Sequence, residues 1–230
     1  MEKEADKKKR VPLGERVLPN YTRGEELTNM ITHILGAAFG AVILVLGIAV
    51  AFRQRDGWAL VGSVIYGLSM ISLFTVSSVY HGLRPCTGKK VMQAIDHCTI
   101  YLLIAGSYTP ILLSAIRPEN PVLAWTIFGA EWGLAILGET LTAIDLKKYD
   151  RFSMFCYLAM GWLIVLAAKP AIAALTLPGM LWLLYGGIAY TLGAVLYALG
   201  KKKRYLHSVF HVFVDIGCVL QAVCIFRYVI

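Results

Sequence analysis

Apolar residues run through this chain in long uninterrupted blocks, near Ile31–Phe52, Trp58–Tyr80, Ala94–Ile116, Val122–Leu141, Phe152–Ala168, Leu177–Leu199 and Leu206–Tyr228. Crossing the hydrocarbon of a bilayer takes a helix of about 20 mostly apolar residues, and the seven blocks are of that order. The pattern predicts an all-α polytopic membrane protein. Residues 31–230 would form a bundle of seven transmembrane helices, preceded by a cytosolic N-terminal segment at 1–30. The connections are short and carry breakers or charge, as in Arg53–Gly57, Arg84–Lys90, Arg117–Pro121, Asp145–Arg151, the turn from Lys169-Pro170 to Pro178-Gly179, and Lys201–Arg204.

Composition agrees: 58% of the 230 residues are hydrophobic, 16% are charged, and the mean hydropathy is +0.66. Seven spans of about 20 residues use most of the chain and leave no room for a second soluble domain. The net charge of +8 would suit a nucleic-acid partner if the basic residues formed a patch on a soluble face. They do not, because 17 of the 22 Lys and Arg fall in the N-terminus and in the loops after spans two, four and six. That asymmetry sets the N-terminus in the cytosol and the C-terminus outside. The charged start, MEKEADKKKR, has no apolar core for a cleavable signal and no Gly after Met1 for myristoylation, so the first span is expected to remain as an anchor. The five cysteines form no CxxC pair and lie mostly in apolar runs, against a disulfide framework. No inverted repeat or pair of broken helices points to a secondary transporter. Residues 206–230 lack the lysine that a retinal Schiff base needs.

Polar groups inside these blocks are costly, and each is a candidate functional residue: His33, Ser77, His81, Asp96, His97, Glu131, Glu139, His207, His211 and Asp215. His33, Asp96, His207 and His211 stand near the beginnings of odd-numbered spans, whereas Ser77, His81 and Glu139 stand near the ends of even-numbered ones. Odd beginnings and even ends share one side of the membrane, and the charge distribution makes that side cytosolic. His207 and His211 are one turn apart on one helical face, and Asp215 extends the stripe. A divalent metal can bridge such a pair. His81, from another helix at matching depth, would make three imidazoles with an open fourth position, the ligand set of a catalytic zinc. The same spacing also suits buried histidines bonded to carbonyls and hydroxyls. Asp96 would orient a water or ligand, or else satisfy backbone N–H groups at a helix start. Ser77 would donate to a carbonyl or to Asp96, or bond its own helix. His97 is assigned to structure, and Glu131 and Glu139 receive no catalytic role. Gly36 and Gly40 form a small-residue patch for close helix contact, and Thr109-Pro110 is expected to kink span three.

Four motifs, in order along the chain, resemble a known family: Glu25-Glu-Leu-Thr-Asn-Met-Ile-Thr-His33-Ile-Leu-Gly36, Ser77-Ser-Val-Tyr-His81, Asp96-His97 followed by Ile104-Ala-Gly-Ser-Tyr-Thr-Pro110, and His207-Ser-Val-Phe-His211. From about residue 22 to the end the chain resembles the hemolysin III branch of the progestin and adipoQ receptor (PAQR) family. The resemblance implies seven helices, an intracellular N-terminus and a zinc ion near the cytosolic face, held by His81, His207 and His211 with Asp96 and Ser77 nearby. Through its likeness to alkaline ceramidases the family also implies hydrolysis of a lipid amide. On this basis the leading expectation is a zinc-dependent hydrolase of the cell membrane acting on a lipid amide or ester. In it Asp96 serves as general base, Ser77 stabilises the oxyanion, and membrane lipids or a fatty acid are the partners. The alternatives are a non-enzymatic sensor or receptor with structural zinc, or a protein associated with cytolysis. A secreted pore former is disfavoured, since seven apolar spans cannot leave a bilayer as a soluble monomer.

Overall fold

A computed structural model describes residues 11–200 and 203–230. The charged run at 1–10, and Lys201 and Lys202 of the basic cluster, lie outside the described residues. Those described are all-α. Helix α1 (Arg23–Gln54) begins well ahead of the first apolar block because a capping box starts it: the Thr22 hydroxyl accepts the Glu25 N–H at 3.2 Å and the Glu25 carboxylate accepts the Thr22 N–H at 2.8 Å. The last part of the 1–30 segment is therefore helical and carries Glu26 and Asn29 into the bundle. In α2 (Gly57–Gly82) the Asp56 carboxylate caps by accepting from the N–H groups of Trp58 and Ala59.

Helix α3 (Thr87–Pro110) also starts before its apolar block, capped by the Cys86 sulfur. Pro110 has no N–H to give and crowds the preceding turn, and the chain continues as a π-helical turn at Ile111–Ile116 and a last helical turn at Arg117–Glu119. Asn120 then caps α4 (Pro121–Ile144) and Asp145 caps α5 (Leu146–Gly161). Beyond α5 the chain tightens into a 3-10 segment, Leu163–Ala167, and enters α6 (Ala168–Gly200). Helix α6 is interrupted at Thr176, whose φ of 63° and ψ of 166° are a backbone state costing a non-glycine residue roughly 1–3 kcal/mol. Helix α7 (Leu206–Tyr228) closes the chain.

Six helical stretches among the described residues are long and apolar enough to cross a membrane. The fifth, Leu146–Gly200, is interrupted by the Thr176 break. Its two parts lie side by side, since the Trp162 indole N–H donates to the Thr191 hydroxyl at 3.0 Å across that break. Large apolar side chains point outward along the bundle: Leu35, Val45 and Leu166 are 65%, 64% and 80% exposed. In water that surface would be a liability, and against lipid it is the expected face.

Helix α1 packs along α2 and α7, α2 along α3, and α6 along α7. Close approach relies on glycines. A Cβ on Gly40 would stand 3.0 Å from the Met70 Cβ, and one on Gly62 would stand 2.7 Å from the Pro110 Cα, which is backbone and cannot swing away. Gly62→Ala is therefore expected to cost about 1–3 kcal/mol through overpacking, read as a lower thermal midpoint. Gly129→Ala, with nothing within 4 Å, is the control and is expected to leave the midpoint unchanged or raised. Equal midpoints for the two variants would contradict the α2–α3 contact.

Candidate metal centre

The starts of α1, α3 and α7 and the end of α2 meet at one end of the bundle. There His81 of α2 and His207 and His211 of α7 each offer a ring nitrogen, and the three atoms lie within 4.8 Å of one another. The one-turn spacing on α7 brings the Nε2 atoms of His207 and His211 to 3.1 Å. All three residues are buried. Two imidazole nitrogens facing each other make one hydrogen bond if one carries the proton. Alternatively both lone pairs face a cation, and tetrahedral coordination at 2.0–2.1 Å sets nitrogens about 3.3 Å apart. The Nε2 of His81 has no hydrogen-bond partner among the described residues. A buried, unpartnered imidazole nitrogen costs about 1–3 kcal/mol, and a metal ion would relieve it. The donor set, three imidazoles without cysteine, fits a borderline dication such as zinc.

The surroundings include His33, a candidate by its depth in the first span, and three residues that were not candidates, Tyr21, Glu26 and Asn29. His33 of α1 stacks on His211 with ring centroids 3.8 Å apart and planes 19° from parallel, and neither of its nitrogens has a partner among the described residues. Tyr21, just before α1, stacks on His207 at 4.9 Å and 17°. Burial, with Tyr197 and the nearby carboxylates adding to it, pushes the Tyr21 phenol above its ordinary range, so it stays a neutral hydroxyl. The Nδ1 of His81 lies 2.6 Å from Glu26 and 3.4 Å from the Asn29 amide. The signal for these residues was present in the chain: Glu26, Asn29 and His33 follow at i, i+3 and i+7, a polar stripe on one face of an otherwise apolar helix.

Asp96 and Ser77 line the same cavity as His33, His207 and His211. His97 lines the cavity too but is not one of the three grouped histidines. Its Nδ1 is 2.8 Å from the Gln93 carbonyl oxygen and its Nε2 3.3 Å from the Tyr197 hydroxyl. Asp215 lies one turn beyond His211, outside the histidine cluster, and Glu131 is fully buried in α4 with no partner for either oxygen among the described residues. Glu139 does not line the cavity that serves the site.

That cavity has mostly apolar walls. It extends along α3 from Asp96 to Tyr108 and along α7 from His207 to Gln221, about 18–21 Å at 1.5 Å per residue. One monolayer of a bilayer is about 15 Å of hydrocarbon. The cavity is thus long enough for one extended acyl chain, and Ser77, Asp96, His33, His207 and His211 line its polar end.

A bundle of membrane-length helices, outwardly apolar and holding buried imidazoles at one end, defines a polytopic integral membrane protein with a site suited to a metal ion. The chain belongs to the haemolysin-III related family, whose pattern matches residues 21–222. It is 37% identical over 206 residues to the hemolysin-3 of Bacillus cereus, covering 90% of this chain and 92% of that one. It is 36% identical over 208 residues to a hemolysin-3 homolog of Bacillus subtilis (strain 168), covering 90% and 96%. The human monocyte to macrophage differentiation factor is 29% identical over 231 residues, covering 95% and 90%.

Proposed function

We propose that this member of the haemolysin-III family is a zinc-dependent hydrolase of lipid amides or esters in the cell membrane. The observation that carries the reading is the long apolar cavity lined at its polar end by His207 and His211 of the histidine triad, with Asp96 and Ser77 beside them. Zinc, when bound, would polarise the substrate carbonyl and make a water molecule more acidic, toward a pKa of about 7. His81, His207 and His211 would hold the ion through their ring nitrogens. The apolar walls take the acyl chain, fix the carbonyl at the polar end and keep bulk water away. Asp96 accepts the proton of the attacking water and returns it to the leaving nitrogen or oxygen as the carbon–heteroatom bond breaks, releasing a fatty acid and an amine or alcohol. Ser77 donates a hydrogen bond to the developing oxyanion.

The bundle has seven crossings on this reading. At 1.5 Å per residue the stretch Leu146–Gly200 would be about 80 Å long if straight, far more than the roughly 30 Å of hydrocarbon. The break at Thr176 and the Trp162–Thr191 hydrogen bond favour two antiparallel passes. The site faces the cytosol on this reading, which the lysine and arginine distribution supports. Cys86, exposed in the loop between α2 and α3, tests the orientation. It is expected to react with an impermeant thiol reagent only after cells are opened, and labelling in intact cells would reverse the topology.

A second reading, a sensor in which zinc ties α2 to α7, draws on the fact that the three histidines join helices distant in sequence. The two separate on turnover. Protein reconstituted in bilayers with ceramides, other lipid amides and ester lipids is expected to release fatty acid, and a chelator should stop the release. No release from any class, with zinc bound and the fold intact, would favour the sensor. The word hemolysin belongs to the names of the relatives. For this chain, lysis would follow from lipid turnover or bilayer stress, because its spans cannot leave the membrane.

A further inference from the structure

Beside the histidine triad a half-buried carboxylate joins two buried cationic or imidazole groups, linking three helices. Glu26 of α1 sits between His81, at the end of α2, and Lys89, at the start of α3. One carboxylate oxygen, Oε2, is 2.6 Å from the His81 Nδ1, and the other, Oε1, is 2.6 Å from the Lys89 Nζ. The side chains of His81 and Lys89 are 0% and 3% exposed. A buried ammonium needs compensation, and Lys89 also donates to the Leu83 carbonyl oxygen at 2.9 Å and lies 5.1 Å from the Tyr80 ring centroid.

We propose that Glu26, itself held by Lys89, is a positioning residue that fixes His81 with Nδ1–H toward the carboxylate and the Nε2 lone pair toward the metal. This rests on the metal reading above and names a part of it that the ligands alone do not supply. An ionised carboxylate can only accept, so the proton of a 2.6 Å contact belongs to Nδ1. The competing neighbour, the Asn29 amide, is at 3.4 Å and would have to donate to an unprotonated Nδ1, which is the weaker arrangement at that distance. With the proton on Nδ1, the Nε2 atom, which lacks a partner among the described residues, is the His81 nitrogen left with a free lone pair for the ion. The carboxylate also makes the imidazole a more basic ligand, and its charge partly offsets that of a dication. Lys89 keeps the carboxylate from turning away, because it engages the other oxygen.

The test uses the full chain, purified in lipid bilayers and stripped of metal, with zinc affinity measured by chelator competition. Glu26→Leu is expected to weaken zinc binding about 10- to 100-fold. Glu26→Gln, which keeps an acceptor but loses the charge, should fall between Glu26→Leu and the native protein. If Glu26→Leu does not fold, Glu26→Gln carries the comparison. A second readout is independent of metal: nitrogen NMR of the metal-free protein with labelled histidine should find the His81 proton on Nδ1, and in Glu26→Gln a share of it moved to Nε2. A merely structural clamp would lower thermal stability without moving either the zinc affinity or the tautomer. Zinc affinity within threefold of native in the substituted protein, or a native His81 protonated at Nε2, would overturn the proposal. Native protein that binds no zinc, yet carries the Nδ1 proton on His81, would instead remove the metal reading and leave Glu26 orienting an imidazole for another ligand, which also overturns its role toward zinc.

Discussion

Replacing Asp96 by Asn is expected to abolish fatty-acid release while leaving most of the zinc bound. The substitution keeps the size of the side chain but removes the only proton acceptor proposed for the attacking water, a role generally worth about 10²–10⁴-fold. The three imidazoles are untouched, so metal content should remain near that of the native protein. Ser77→Ala is expected to be milder, on the order of 10²-fold, as for loss of one oxyanion donor. These expectations are read from initial rates of fatty-acid release together with zinc per chain on the same samples. Turnover retained in Asp96→Asn would remove Asp96 as the base. Zinc lost in step with activity would make Asp96 part of the metal's support instead.

The second large effect concerns His207 and His211. Alanine at either position should strip the metal and lower the thermal midpoint together, because a ligand that binds the native state alone stabilises it by mass action. At metal concentrations about 100 times the dissociation constant that contribution is about 2.7 kcal/mol, or roughly 5–10 °C for a chain of this size. A chelator should lower the native midpoint by a similar amount and hardly move that of the alanine variants. His97→Ala should leave zinc in place, since its nitrogens face the Gln93 carbonyl and the Tyr197 hydroxyl. Midpoints insensitive to chelator in native protein would contradict a metal that is held by the folded state.

Much of this architecture was legible in the chain because a bilayer imposes a long apolar period that few other environments require. The helix starts were less so. Capping by Thr22 and Cys86 carries α1 and α3 beyond their apolar blocks, and a hydropathy reading sees no reason for a helix to continue through Glu25, Glu26, Lys89 and Lys90. That same extension hid Glu26 and Lys89, which look like interfacial charges in sequence and become an ion pair, the lysine buried and the glutamate half-buried, once α1, α2 and α3 meet. The grouping of His81 with His207 and His211 could be argued from depth, because odd beginnings and even ends must share a side. The cavity could not: it is a gap between α3, α5, α6 and α7, and nothing local in Ile104, Tyr157 or Phe210 announces that they border empty space. The turn inside residues 146–200 was visible as Lys169-Pro170 and Pro178-Gly179, yet its backbone break falls on Thr176, a residue with no intrinsic preference for positive φ.

X-ray absorption at the zinc edge on untagged, purified protein tests whether His81, His207 and His211 hold a zinc ion. About one zinc per chain is expected, bound by three imidazole nitrogens at about 2.0–2.1 Å with no sulfur ligand, and the signal should disappear in His207→Ala. A folded native protein without zinc, or zinc whose nearest shell contains sulfur, would contradict the site.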